Sequence, residues 1–161
     1  MARGSPHGES VATLLTFGVD VEADAAMVTS RLCDGGAGFL ALARDATGDG
    51  RAAVVTVGPA SPHIGVPVEV RIGDAFARGD QVAFPIRWEA GQAASIFPVL
   101  DGTLLVSQLG DTRSRIEIET SYRVPLRSVG ELLDRAVLHR VAEATVRSFL
   151  SRLAEALASP A

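Results

Sequence analysis

Two spacings of apolar residues alternate along this chain, and each change of spacing marks a new element. From Val11 to Val21, the residues Val11, Thr13, Leu15, Phe17, Val19 and Val21 share one parity, the two-residue repeat of a half-buried strand. From Ala23 the repeat turns helical. Met27, Val28 and Leu32 form a short apolar stripe, broken by Asp34-Gly35-Gly36, and a second short helix is predicted over Phe39 to Arg44. Asp45 to Gly50 reads as a polar turn.

Strands then follow closely. Arg51 to Gly58 is Val-rich, and the two-proline stretch from Pro59 to His63 is a loop. Val66, Val68, Val70 and Ile72 alternate against Pro67, Glu69 and Arg71. After a turn at Arg78-Gly79-Asp80, Val82, Phe84, Ile86 and Trp88 alternate against Ala83, Pro85, Arg87 and Glu89. Pro85 has no N–H for a ladder, so this strand is expected to be an edge or to be bulged there. Leu100 to Leu109 and Arg113 to Tyr122 form a last pair joined at Gly110-Asp111-Thr112. Ile116, Ile118, Thr120 and Tyr122 face one side, and Arg113, Arg115, Glu117, Glu119 and Ser121 the other. Such short connections favour an antiparallel meander over βαβ crossovers.

Ser128 to Ala158 is a long helix without interior proline, stopped before Pro160. At roughly 100° per residue, Val129, Leu132, Leu133, Ala136 and Val137 make one stripe. Val146, Phe149, Leu150, Leu153 and Leu157 make a second, rotated stripe. His139 and Glu143, four apart and thus neighbours, fall between the two, and Arg140 lies close to the first. The order is therefore strand, two short helices, about five strands and one long helix. The only apolar surface large enough to receive that helix is one face of the sheet. The expected fold class is α+β, a helix-grip: a curved antiparallel sheet wrapped around a long C-terminal helix. A sheet that curls around a helix can enclose a cavity, lined in this reading by Phe84, Ile86, Trp88, Tyr122, Leu133, Ala136, His139, Arg140 and Glu143. Paired polar groups in such a wall can orient a ligand.

Composition narrows the chemistry. At 161 residues the chain fits one domain, expected over residues 11–158 after a disordered, polar tail at 1–10. The tail has no hydrophobic core of a secretory signal, and no apolar run approaches the ~20 residues that span a bilayer, so a cytoplasmic protein with no integral membrane segment is expected. A net charge of −4 leaves no footprint for nucleic acid. Cys33 is the one cysteine, so no internal disulfide forms. All 15 basic residues are Arg, and the absence of Lys excludes lysine Schiff-base chemistry and the P-loop.

Few motifs survive inspection. Gly36-Ala37-Gly38-Phe39-Leu40-Ala41 fits G-x-G-x-x-A, but it follows a helical stretch and lacks the acidic residue about 20 positions on, so it reads as a hinge. His7, His63 and His139 are scattered, with no H-x-x-x-H or C-x-x-C spacing, and neither a metal site nor a cofactor is expected. Cys33, at the end of an apolar stripe, reads as a small hydrophobe rather than a nucleophile paired with His139. Glu117 and Glu119 share a strand face with Arg113 and Arg115 and read as a charge-balanced surface.

Several stretches carry a family resemblance: Ile86-Arg87-Trp88-Glu89, Phe97-Pro98-Val99-Leu100-Asp101, Ser121-Tyr122-Arg123-Val124-Pro125-Leu126 and Leu133-Asp134-Arg135-Ala136-Val137-Leu138-His139-Arg140-Val141-Ala142. They resemble bacterial members of the START-like/SRPBCC superfamily, which includes polyketide cyclases, lipid-transfer domains and pollen-allergen-like carriers. The resemblance covers about residues 80 to 158, and the first half only by element order. It implies a helix-grip domain and, because that superfamily hosts carriers and enzymes alike, no particular active site. Three functions follow as expectations, in this order. The first is binding or transport of a hydrophobic or amphipathic small molecule, such as a lipid or polyketide-like compound. The second is an aromatase/cyclase-type enzyme using His139, Glu143 or Arg140 as acid–base groups. The third is a non-catalytic interaction protein forming a homodimer through the sheet edge or the helix.

Overall fold

The computed structural model describes residues 13–33, 45–47, 52–57, 66–90, 100–122 and 135–159. The tail at 1–10, the second short helix expected at 39–44 and the start of the long helix at 128–134 lie outside these residues. Strand β1 (Thr13–Val21) is followed by helix α1 (Ala25–Cys33), then by β2 (Asp45–Thr47), β3 (Ala52–Val57), β4 (Val66–Ile72), β5 (Phe76–Arg78), β6 (Gln81–Ala90), β7 (Leu100–Gly110), β8 (Arg113–Tyr122) and helix α2 (Arg135–Ala158). All pairings are antiparallel, and the strands form one sheet in the order β1-β8-β7-β6-β4-β3-β2, with β5 also on β6.

Two strands exceed the sequence expectation. Asp45–Thr47, read as a turn, is a three-residue strand on β3, and Phe76–Arg78 continues the line of β4 along β6. Both are too short for a two-residue period to register. At the junction of β4 and β5, three residues (Gly73 to Ala75) lie opposite two (Phe84 and Pro85), which makes a bulge. Gly73 N–H donates to the Pro85 carbonyl at 2.8 Å. A strand residue's nitrogen and carbonyl face the same neighbour, so the missing proline N–H falls at the break in the ladder, where it costs least. A Cβ at Gly73 would sit 3.1 Å from the Pro85 ring, so a glycine eases this approach. The β5–β6 turn places Gly79 at its first central position with φ 66°, the glycine-first pattern of a type II′ hairpin.

Asp24 caps α1: its carboxylate accepts from Met27 N–H at 2.8 Å and its carbonyl from Val28 N–H at 3.1 Å. Val28 and Leu32 are buried as the stripe predicts, whereas Met27 is 45% exposed, one position off the face that packs. Cys33, expected as a small buried hydrophobe, is exposed, because the helix turns its last residue away from the core. The α1 helix rests on β7 and β8, and Gln108 of β7 accepts from Ala25 N–H at 2.7 Å.

Helix α2 lies against β1 and β8 and also touches β3. In a flat sheet β1 and β3, five strand spacings apart in this order, would be separated by about 24 Å. A helix about 10–12 Å across reaches both only because the sheet curls around it. Val146, Phe149, Leu150, Leu153 and Leu157 are all buried in the single core cluster, as their stripe predicts. At its C-terminus the Arg31 guanidinium donates to the carbonyls of Leu157, at 2.6 Å, and Ser159, satisfying carbonyls that a helix end leaves without partners.

Candidate functional site

Strand registers lay out the concave face as rows running across the sheet. One row is Thr13, Tyr122, Leu100, Trp88 and Val70; the next is Leu15, Thr120, Gly102, Ile86 and Ile72. Below them come Phe17, Ile118, Leu104 and Phe84, then Val19, Ile116, Val106 and Val82. The lower rows approach the end where α1 packs. The first row lies at the other end, between the start of β1 and the end of β8.

The helix meets this face through an aromatic contact. Trp88 and Phe149 pack edge to face, with ring centroids 5.5 Å apart and an interplanar angle of 79°. Arg147 of the same helix stands over the half-buried Phe17 ring at 5.6 Å, a cation–π contact that ties α2 to β1.

Polar groups on the concave side are few. Thr120 is buried, and its hydroxyl donates to the Asp101 carbonyl at 2.8 Å. Ser114 Oγ and Thr29 Oγ1, near the α1 end, and Trp88 Nε1, at the other, are buried with no hydrogen-bond partner among the described residues. Each such group costs free energy that a partner would recover.

Of the residues proposed from sequence, Phe84, Ile86 and Trp88 are buried on the inner face of β6 and belong to the core cluster. Tyr122 is the last residue of β8, opposite Thr13 and Leu100. Ala136 and His139 belong to the first turns of α2, and Leu133 lies outside the described residues. Arg140 is exposed and Glu143 half-buried. The structure thus gathers the β6 residues on one wall and puts the helical group on a separate element. Phe149 and Gly102 escaped the sequence-based list. Phe149 was visible as an apolar stripe position, but its pairing with Trp88 depends on how the helix crosses the sheet, which no periodicity contains.

The convex face is ionic, as the alternation of β8 implied. Arg113 and Arg115 both reach Asp20, each at 3.0 Å; Arg78 pairs with Glu119 at 2.6 Å and Arg87 with Asp101 at 3.1 Å. Arg71 pairs with Glu69. Among the described residues no group of three His, Cys, Asp or Glu side chains could hold a metal ion, and no helix is long and apolar enough to cross a membrane.

No protein-family model and no curated protein matches the chain. Solved structures do. Norcoclaurine synthase from Thalictrum flavum, in complex with dopamine and hydroxybenzaldehyde, is similar at TM-score 0.58 and 16% identity over 98% of this chain and 91% of that one. A conserved protein from Geobacillus kaustophilus matches at TM-score 0.56 and 14% identity, covering 91% and 95% of the two chains. A START superfamily protein from Mycobacterium smegmatis matches at TM-score 0.51 and 15% identity, covering 90% and 94%. At these identities the likeness is one of fold.

Proposed function

From the premise that this chain has the START-like (SRPBCC) helix-grip fold, we propose that it binds a hydrophobic or amphipathic small molecule between the inner face of the sheet and α2. The observation that carries this reading is the reach of one helix from β1 to β3, which requires the sheet to close around it and turns the apolar rows inward. The proposed contact residues are Phe84, Ile86 and Trp88 on β6, Tyr122 at the end of β8, and Leu133, Ala136, His139 and Glu143 from the helical side. Arg140, being exposed, belongs in this reading at the mouth. Toward the α1 end, where Arg31 bonds the Leu157 carbonyl, Leu153 and Leu157 of the helix are buried in the core cluster. The ligand is therefore assigned to the end near Trp88 and Tyr122.

Carriage is preferred to catalysis on the character of the wall. The concave side chains described are aliphatic or aromatic, with hydroxyls at Thr120 and Ser114 and one indole N–H, none of which is a general base near neutral pH. The enzyme alternative, which norcoclaurine synthase exemplifies on this fold, would depend on His139 and Glu143.

Native mass spectrometry of the purified protein, followed by organic extraction, tests the proposal. One equivalent of an apolar compound, or saturable one-to-one binding of 1-anilinonaphthalene-8-sulfonate to the folded protein, is the expected result. Absence of both would overturn it. Retention of binding in His139→Ala and Glu143→Gln, with no turnover of the bound compound by either variant or the parent, is expected of a carrier.

A further inference from the structure

Trp88 is 3% exposed, and its Nε1–H has no acceptor among the described residues. Buried donors in folded proteins are almost always paired, and an unpaired one is a standing cost that an incoming acceptor removes. The indole sits in the first inner row, between Leu100 and Val70, with Phe149 against its ring. Its apolar surface is therefore already used in packing, and what it has left to offer is one hydrogen-bond donor. Ser114 and Thr29, the other buried groups of this kind with hydroxyls, lie toward α1, and a hydroxyl can rotate to a new partner. The indole N–H cannot, because its direction is fixed by the ring that Phe149 abuts.

On the reading that the interior binds an apolar molecule, we infer that this molecule carries an acceptor oxygen, a carbonyl in the first instance, and that Trp88 Nε1–H donates to it. Pure hydrocarbon would leave the donor unsatisfied. A carboxylate or phosphate headgroup would bring a charge to a wall whose neighbouring residues, Leu100, Val70, Ile86 and Phe149, offer nothing to solvate it. A neutral carbonyl satisfies the donor without that cost. Trp88 then fixes the depth and direction of the ligand, as a few placed polar groups do in mostly apolar sites.

The chain has a single Trp, so one indole N–H resonance reports on this group alone. Acetophenone and ethylbenzene, nearly equal in shape and differing in a carbonyl oxygen, serve as probes. Both are titrated into the parent protein and into Trp88→Phe, with affinities from calorimetry and the indole proton followed by ¹⁵N-resolved NMR. The ratio of ketone to hydrocarbon affinity is expected to fall about tenfold in Trp88→Phe, the usual scale of one buried hydrogen bond. The indole proton is expected to move downfield with the ketone and not with the hydrocarbon. The NMR arm needs only the parent protein, so it stands even if the variant folds poorly. If both compounds bind but the ratio is unchanged and the indole proton responds alike to each, the interior site stands and the role given to Trp88 is overturned. If neither compound binds, the interior site and this inference fall together.

Discussion

Gly102 is the most constrained of the described glycines. A Cβ there would lie 2.5 Å from the Glu119 carbonyl and 2.9 Å from Thr120 Cβ, so an added methyl would push β7 and β8 apart in the middle of their pairing. Gly102→Ala is expected to cost about 1–3 kcal/mol in urea unfolding. Gly110→Ala, where a Cβ meets nothing within 4 Å, should stay within about 0.5 kcal/mol of the parent. Phe149 is the other residue on which much rests. Its ring is fully buried against Trp88, so Phe149→Ala is expected to cost about 3–5 kcal/mol. If the variant remains folded, the near-ultraviolet circular dichroism of Trp88 should also weaken, because its asymmetric neighbour is gone. Parity arguments assigned the burial of individual strand residues well: Ile116, Ile118 and Thr120 are inside as predicted, and Arg113 is exposed. They said nothing of Gly102, because a glycine has no side chain for hydrophobic alternation to count.

Among the elements, the short helix and the long one are held by different means. α1 depends on its ends: Asp24 at the start, Gln108 receiving Ala25 N–H, and Arg31 reaching across to the last carbonyls of α2. Asp24→Ala is expected to lower stability by about 1 kcal/mol, read as a shift in the urea midpoint with an unchanged slope. The α2 helix depends instead on its buried stripe, which runs from Val146 to Leu157. This division explains which elements the sequence revealed. Long segments such as β1, β6, β8 and α2 repeat their period several times and were legible. The three-residue strands β2 and β5 hold less than two periods, and only pairing with a neighbour defines them. The same holds for the candidate site. The inward burial of Phe84, Ile86 and Trp88 was legible because they alternate on one strand. Their relation to the helix depends on the angle at which two elements cross, and single-chain periodicity does not record that.

At the scale of the molecule, charge and apolar surface are sorted by the curl of the sheet. The described ion pairs on the convex side, which join β1 to β8 (Asp20 with Arg113 and Arg115), β6 to β7 and, across the intervening strands, β5 to β8, link partly exposed groups. Pairs of this kind contribute little and are screened by salt. Thermal unfolding in about 0.05 M and about 0.5 M sodium chloride is therefore expected to differ by less than about 3 °C. A larger drop at high salt would mean that the convex network, rather than the interior, sets stability.

The bulge at Gly73 to Ala75 decides on which side of the protein one aromatic ring ends up. Counting by twos from the inward Ile72 would send Phe76 inward as well, but the extra residue reverses the count. Phe76 pairs with Ala83 and stands 48% exposed over the outer row that continues through Leu105, both of these being buried yet separate from the main core. Straightening the bulge with all three residues kept would slip Phe76 by one along β6, opposite the inward Val82, and turn its ring into the hollow beside Phe84. Deleting one of the three would instead restore plain alternation with Phe76 still opposite Ala83 and facing out. Holding the bulge in place, rather than the number of residues in it, is thus what keeps the hollow from being plugged by the chain's own ring.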